Sequence, residues 1–375
     1  MHILMLNYEY PPLGGGAGNA TKYILREFSD LKDLKIDLVT SSTSGFNIVD
    51  FSGNITIHRL DIKKKGSLHY QSASDVLKYV WKAYWYCRVL AKVRQYDMIH
   101  AFFGIPCGFI AMLLTLPYIV SLRGSDVPFY NKRFEKLDSL IFKRLSKIVW
   151  RRSEAVVALS NDLRNLARET CGQCDISVIY NGIDTEEFYP DVQILNNEST
   201  LNILFVGRLI GRKGLIYLLM AFKKLLRKFP KIKLHIAGDG PLKEGFLRYI
   251  NENGLENSIE FYGIVDHDSI FKLYQKSHIF VLPSLNEALG NVTHEALASG
   301  LPIVTTRTGA AELIDGNGFV IEKESSDDIV KCIEKLLIDT KLRSYMSAKS
   351  RQIAKTMTWR KVAESYLEIY KKVSQ

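Results

Sequence analysis

Two glutamates, Glu287 and Glu295, flank the seven residues ALGNVTH within SLNEALGNVTHEALASGLP, the stretch from Ser284 to Pro302. Val292, Ala296 and Leu297 fall at helical spacing on an apolar face, and Gly300 and Pro302 close the helix. One acid therefore sits inside a short, buried-looking helix and the other just before its start. Acids on a solvated helix edge would be unremarkable. A helix turned towards a core has no packing use for a carboxylate, so the pair raises a question of chemistry.

Three glycine turns supply other candidates. The first, PPLGGGAGN from Pro11 to Asn19, resembles a dinucleotide fingerprint, but Asn19 replaces its last glycine and no Gly-Lys-Ser/Thr follows. Gly14, Gly15 and Gly16 would let backbone approach a ligand closely at a helix start. In the second, FVGRLIGRKGL, Arg208 and Lys213 follow Gly207 in the loop before a helix. Fixed cations there suit a diphosphate, although a solvated basic loop is the commoner meaning of such runs. In the third, IAGDGPLKEGF, Gly238 and Gly240 flank Asp239. The acids of DHD, Asp266 to Asp268, read as a helix cap at Asp268 or Ser269 rather than a metal site. The eight histidines show no ligand spacing, and no metal site is expected.

The elements that must carry these loops alternate. HILML, KIDLVT, MIHAFF, PYIVSL, AVVALS and SVIYN read as strands in the first half, and NILFVG, KLHIAG, SIEFYG, IFVLPS and PIVTT in the second. Most are continuously apolar, as strands buried on both faces should be. Helical spacing between them implies parallel sheets covered by helices. The polar stretch from Tyr189 to Asn202 reads as a linker, giving two doubly wound α/β domains over 1–188 and 203–358. The default site is a cleft between them, beyond the carboxyl ends of the strands. The amphipathic segment 359–375 could pack on either domain.

With 375 residues, 47% hydrophobic and 24% charged, the chain is globular, not disordered. A net charge of +10 points to an anionic partner without choosing one. The longest apolar run, Cys107 to Leu122, is 16 residues and broken by Pro117, too short to span a bilayer. No signal peptide is read at the start, and a cytoplasmic setting is expected. Cys171 and Cys174 form a lone CxxC that supports neither a zinc site nor a disulfide scaffold.

FVGRLIGRKG, LHIAGDGPL, VIYNGIDTEEFYP, PSLNEALGNVTHEALASGLPIVTT and TGAAELI occur in the order typical of retaining glycosyltransferases with the GT-B fold, the family-4 type. PPLGGGAG and MTWRKVAESYLEIY also resemble that family. The resemblance implies two Rossmann-like domains facing each other across a cleft, with the last helix crossing back to the first. It implies a nucleotide-sugar donor, UDP- or GDP-linked, whose sugar meets Glu287 and whose ribose meets Glu295. Arg208 and Lys213 would hold the diphosphate, with Gly207, Gly238 and the backbone of Leu289, Gly290, Asn291 and Val292 completing the cradle. Gly14, Gly15 and Gly16 would reach towards the phosphates and acceptor, with Asp126 on the acceptor side. Two departures stand out. Arg123 replaces a histidine common before GSD, and arginine cannot act as a base at neutral pH. Ala288 and Leu289 replace the Gly-Phe that often follows the first glutamate.

The implied reaction is transfer of a hexose-type sugar to a hydroxyl acceptor with retention, needing no metal cofactor. A front-face route is usually proposed for such enzymes, in which a donor phosphate oxygen accepts the acceptor's proton. An epimerase of the same fold and a silent nucleotide-sugar binding protein are the alternatives. A glycan or lipid-linked acceptor is expected, and no nucleic acid. The segment 132–152 carries eight Lys and Arg against two acids, with an apolar stripe of Leu137, Leu140, Ile141, Leu145, Ile148 and Val149. The stripe is expected to pack on the sheet, leaving a basic outer face for an anionic membrane surface and a peripheral location.

Overall fold

The computed structural model describes residues 1–64, 68, 71–131, 135–191, 193 and 200–374. The chain forms two compact units, Met1–Gly182 with Trp359–Gln375, and Ile183–Thr358.

The first unit is built on an eight-stranded sheet of β1 (His2–Leu6), β2 (Lys35–Ser42), β3 (Asn47–Ser52), β4 (Ile55–Asp61), β5 (Met98–Phe102), β6 (Tyr118–Leu122), β7 (Ala155–Ala158) and β8 (Ile176–Val178). Their order is β3-β4-β2-β1-β5-β6-β7-β8. All neighbours are parallel except β3 and β4, which form an antiparallel hairpin at one edge. This hairpin departs from the expectation of parallel strands alone. Its residues escape an apolar-run reading because Ile55 and Ile57 alternate with polar residues and β3 is half-exposed or exposed throughout. Central strands β5 and β6 are buried at every position.

Helices α1 (Gly16–Phe28), α2 (Ala73–Val93), α3 (Phe109–Leu113), α4 (Glu135–Leu137), α5 (Lys143–Arg151) and α6 (Asn161–Thr170) lie between these strands. Helix α2 starts on a reciprocal capping box between Ser72 and Asp75. The expected apolar stripe from Leu137 to Val149 divides: Val149 is fully buried, whereas Leu137, Leu140, Ile141 and Ile148 are exposed. Amphipathic spacing gives a face but not the side that is covered. Residues 132–134 lie outside the described residues. Cys171 and Cys174 are disulfide-bonded to each other just after α6, a local bridge that the reading of the lone CxxC did not anticipate.

Two buried polar clusters hold this unit. Asp37 on β2 is 1% exposed. It accepts hydrogen bonds from His58 and Tyr96 at 2.9 and 2.6 Å and pairs with Arg94. Burial alone would raise its pKa, but His58, Arg94 and Tyr96 outweigh that and hold the carboxyl well below the usual range. On the central strands, His100 shares hydrogen bonds with Tyr370 Oη at 2.6 Å and Ser121 Oγ at 2.8 Å.

The second unit carries β9 (Leu201–Val206), β10 (Ile232–Ala237), β11 (Ile259–Gly263), β12 (Ile279–Leu282), β13 (Ile303–Thr306) and β14 (Gly318–Ile321) in the order β11-β10-β9-β12-β13-β14, all parallel. Helices α7 (Leu215–Leu226), α8 (Lys243–Glu252), α9 (His267–Gln275), α10 (Asn291–Ala298), α11 (Ser326–Ile338) and α12 (Thr340–Thr356) cover it. The cap of α9 is Asp266, not Asp268 or Ser269.

The division between the units falls at Gly182, before the expected linker. Arg351 of α12 is the reason: its guanidinium donates to the carbonyls of Thr185, Phe188 and Ala298 at 2.7–2.9 Å, tying that segment into the second unit. Most of 192–199 lies outside the described residues. The last helix, α13 (Trp359–Val373), belongs to the first unit. It buries Trp359, Val362, Ala363, Tyr366 and Tyr370, and Trp359 stacks on Tyr23 of α1. Among the described residues no helix is long and apolar enough to cross a membrane.

Candidate active site

In the second unit the chain runs from β9 outward through β10 to β11, then returns to place β12 on the other side of β9. Ligands of doubly wound sheets bind where the order reverses, outside the carboxyl ends of the strands. The loops leaving β9 and β12 are the ones carrying Gly207 to Lys213 and Ser284 to Leu289. Two close backbone approaches fix the loops here. Gly214, at φ +67°, would place a Cβ 1.9 Å from the carbonyl oxygen of Pro283, and Gly238, at φ +142°, one 1.9 Å from that of Gly207. The amide of Leu285 donates to the carbonyl of Arg212 at 2.7 Å, joining the two loops directly.

Lys213 and Glu287 meet at this junction. The ammonium donates to Oε2 of Glu287, and Ser284 Oγ lies 3.5 Å from the same oxygen. Side chains of the pair are 11% and 13% exposed, so both ions are largely out of water. Arg208 is exposed on the same loop. The expected division, with Lys213 on the diphosphate and Glu287 on the sugar, therefore begins from a state in which the two side chains hold each other.

Helix α10 begins one turn later. Gly290 caps it at φ +80°, and the amide of Thr293 donates to its carbonyl. Leu289 is fully buried, so only its backbone could face a ligand. Asn291 and Val292 are partly exposed at the helix start, where backbone amides favour an anion. Glu295 lies one turn in, 7% exposed, and accepts a 2.6 Å hydrogen bond from Tyr274 Oη of α9. Burial pushes its carboxyl up, with Tyr274 and His267 opposing. Tyr274 carries no motif and escapes sequence reading, and Ser284 lies inside the quoted stretch without being singled out. The amide of Gly309 after β13 donates to the carbonyl of Glu287 at 3.0 Å, supporting the loop from behind.

The remaining expected residues lie in the first unit. Gly14 is buried, its amide donating to the carbonyl of Leu68 at 2.9 Å, while Gly15 and Gly16 are exposed at the start of α1. Asp126 is buried, and its carboxylate accepts from the amides of Gly104 and Arg123 at 2.7 and 2.9 Å. Its contacts hold the loops after β5 and β6. Arg123 donates from Nη1 to Asn181 Oδ1 at 3.0 Å and lies over the Phe102 ring. Its Nε and Nη2 are buried without a hydrogen-bond partner among the described residues. Burial and the nearby Arg123 charge keep His100 neutral, its pKa well below the usual imidazole range. A cavity of about 230 Å³ opens beside the glycine loop, lined by Leu13, Ser41, Ser42, Asn47 and Arg59 among others. Ser41 Oγ is buried there without a partner among the described residues.

The fold and these loops define two Rossmann-like α/β units, and comparison with known proteins places them. Residues 191–353 match the family model described as glycosyl transferases group 1, and residues 14–187 match that of glycosyltransferase family 4. The chain belongs to the group 1 glycosyltransferases and is a glycosyltransferase of the GT-B fold. An uncharacterized glycosyltransferase of Methanocaldococcus jannaschii is 27% identical over 100% of this chain and 99% of its own length. The solved sucrose-phosphate synthase from Thermosynechococcus elongatus superposes with a TM-score of 0.86 at 18% identity, covering 100% of this chain and 99% of that one. Anabaena HepE, solved in complex with UDP-glucose, superposes with a TM-score of 0.77 at 20% identity over 99% and 100% of the two chains.

Proposed function

We propose that the protein moves a hexose-type sugar from a nucleoside diphosphate sugar to a hydroxyl acceptor, with retention of anomeric configuration. The observation that carries this is the Lys213–Glu287 pair at the reversal point of the second sheet, one turn before the start of α10. An arriving diphosphate competes with Glu287 for the ammonium. Once Lys213 turns to the phosphates, the carboxylate is released for the hydroxyls of the donor sugar. Arg208 and the α10 amides add to the stabilisation of the charge that builds on the departing diphosphate. Glu295 faces the ribose with the oxygen not held by Tyr274. HepE, of like fold, was solved with UDP-glucose, which supports a nucleotide-sugar donor here, UDP- or GDP-linked.

The first unit supplies the acceptor side. The Gly14–Gly16 loop and the hydroxyl-rich cavity behind it suit a polyol or glycan. Arg123 brings two buried nitrogens, Nε and Nη2, without a partner among the described residues, donors that suit an anionic or hydroxyl oxygen. A lipid-linked acceptor would bring the basic segment 132–152 to an anionic membrane surface at the inner face. The experiment is a thermal-shift screen of UDP-, GDP- and ADP-sugars, followed by NMR of the product formed from the best donor. Retained anomeric configuration supports the reading. An inverted product, or a donor consumed equally fast without acceptor, overturns it.

A further inference from the structure

Helix α2 is apolar on two sides, and the domain covers only one. Tyr79, Ala83, Cys87 and Leu90 are buried. Leu77, Trp81, Trp85, Val89 and Val93 are 69%, 67%, 46%, 62% and 73% exposed. Each step is four residues, so these five side chains form one stripe winding slowly along the outer face of a 21-residue helix. The outer face of a surface helix is ordinarily polar. Here the polar residues between the apolar ones are cations: Lys78, Lys82, Arg88 and Lys92 are all exposed. Lys82 donates to the carbonyl of Asp61, and Arg88 lies over the Trp85 ring at 5.2 Å. The helix has one acid, Asp75, which is buried and occupied by Ser72 and Lys64.

The chemistry selects the occupant. A second copy docked face to face would bring two sets of four cations together around a small apolar contact. The face is a convex helix exterior, which gives a protein partner no groove to fill. Tryptophan beside lysine and arginine, with no acid, is the composition of a helix lying in the headgroup boundary of an anionic bilayer. Helix α5 packs against the same Gly104–Gly108 turn as α2 and shares that side of the sheet. Leu140, Ile141 and Ile148 are exposed there as well.

We infer that α2 is an interfacial membrane helix, laying Trp81 and Trp85 into an anionic lipid surface with Lys78, Lys82, Arg88 and Lys92 at the phosphates. It deepens the membrane contact proposed for 132–152, and its test is separate from any sugar chemistry. The chain has four tryptophans, and Trp150 and Trp359 are buried, so a change in emission on lipid binding reports on α2. The probe is vesicles of equal phosphatidylcholine and phosphatidylglycerol, compared with phosphatidylcholine alone. At low salt the wild-type emission should shift to the blue with the anionic vesicles only, and brominated acyl chains should quench it. Trp81→Glu/Trp85→Glu should abolish co-sedimentation. Each removed cation weakens partition by about fivefold, so Lys78→Ala/Lys92→Ala should lose about 25-fold. Unchanged melting curves establish that these exposed substitutions leave the fold intact.

Binding by the α2 variants at wild-type strength, with binding lost in Arg144→Glu/Lys147→Glu, overturns this inference alone and leaves the contact at 132–152. No binding by the wild type overturns both. A wild-type dimer that becomes monomeric in Trp81→Glu/Trp85→Glu, with no vesicle binding, overturns it in favour of self-association.

Discussion

Lys213 and Glu287, 74 residues apart in the chain, form an ion pair in which neither side chain is more than 13% exposed. Breaking such a pair from one side leaves a charge without its partner, which costs far more than the pair contributes. Lys213→Ala should therefore lower stability by about 3–5 kcal/mol, and Lys213→Ala/Glu287→Ala should recover part of that loss. It should also weaken binding of the nucleoside diphosphate by roughly tenfold to a hundredfold. Urea melts and calorimetry read the two effects separately. Additive stability losses would show that the two side chains do not depend on each other.

Glu295 should show the opposite balance. Burial raises its carboxyl pKa, so the folded state resists its ionisation. That cost is absent at low pH and grows as the pH rises from the unfolded value towards the folded one. Glu295→Gln keeps an acceptor for Tyr274 and removes the charge. Its melting temperature should exceed the wild type's at pH 7 and approach it near pH 4, while its affinity for free nucleotide falls. A variant less stable than wild type at pH 7 would show that the carboxylate is a structural asset rather than a functional cost.

Asp37 predicts the acid limit of the first unit. The folded carboxyl is held below its unfolded value of about 4, so its stabilisation is complete above that value. The stabilisation is lost as the pH falls towards the folded value. Asp37→Asn should cost about 3–5 kcal/mol at pH 7 and flatten the acid side of the stability profile. Melts from pH 7 to 3 measure both.

The last helix should be indispensable to the first unit. Tyr370 and Tyr366 satisfy the polar atoms of His100 and Ser121 in the centre of the sheet. Truncation before Trp359 exposes Phe28 and leaves His100 without a partner at Nδ1. The truncated chain should be insoluble or lack cooperative melting of this unit. Tyr370→Phe should retain the fold and lose about 1–3 kcal/mol.

The donor loops were legible because each follows a short apolar strand and is punctuated by glycine and charge, as at Gly207, Gly238 and Glu287. The pairing of Lys213 with Glu287 was not, since nothing local records an approach across 74 residues. The Asp37 cluster draws His58 from β4 and Arg94 and Tyr96 from the connection between α2 and β5, and leaves no motif. Strands β3 and β14 are edge strands, the first with its apolar run broken by Asp50 and the second only four residues long. For 137–149 spacing defines a stripe without saying how much of it is covered: Val149 is buried, whereas Leu137, Leu140, Ile141 and Ile148 are exposed. Arg351 sets the unit boundary through three carbonyls, a tie that composition cannot reveal.

The most direct test is Glu287→Gln, assayed for affinity towards the free nucleoside diphosphate and for transfer rate with the matching sugar donor. Removing the carboxylate charge frees the Lys213 ammonium for the phosphates, so affinity for the free nucleotide should stay level or rise. Turnover should fall by roughly a hundredfold to a thousandfold, because a contact that strengthens in the transition state appears in the rate. Full activity in Glu287→Gln, or loss of nucleotide affinity alongside activity, would contradict the placement of Glu287 at the donor sugar.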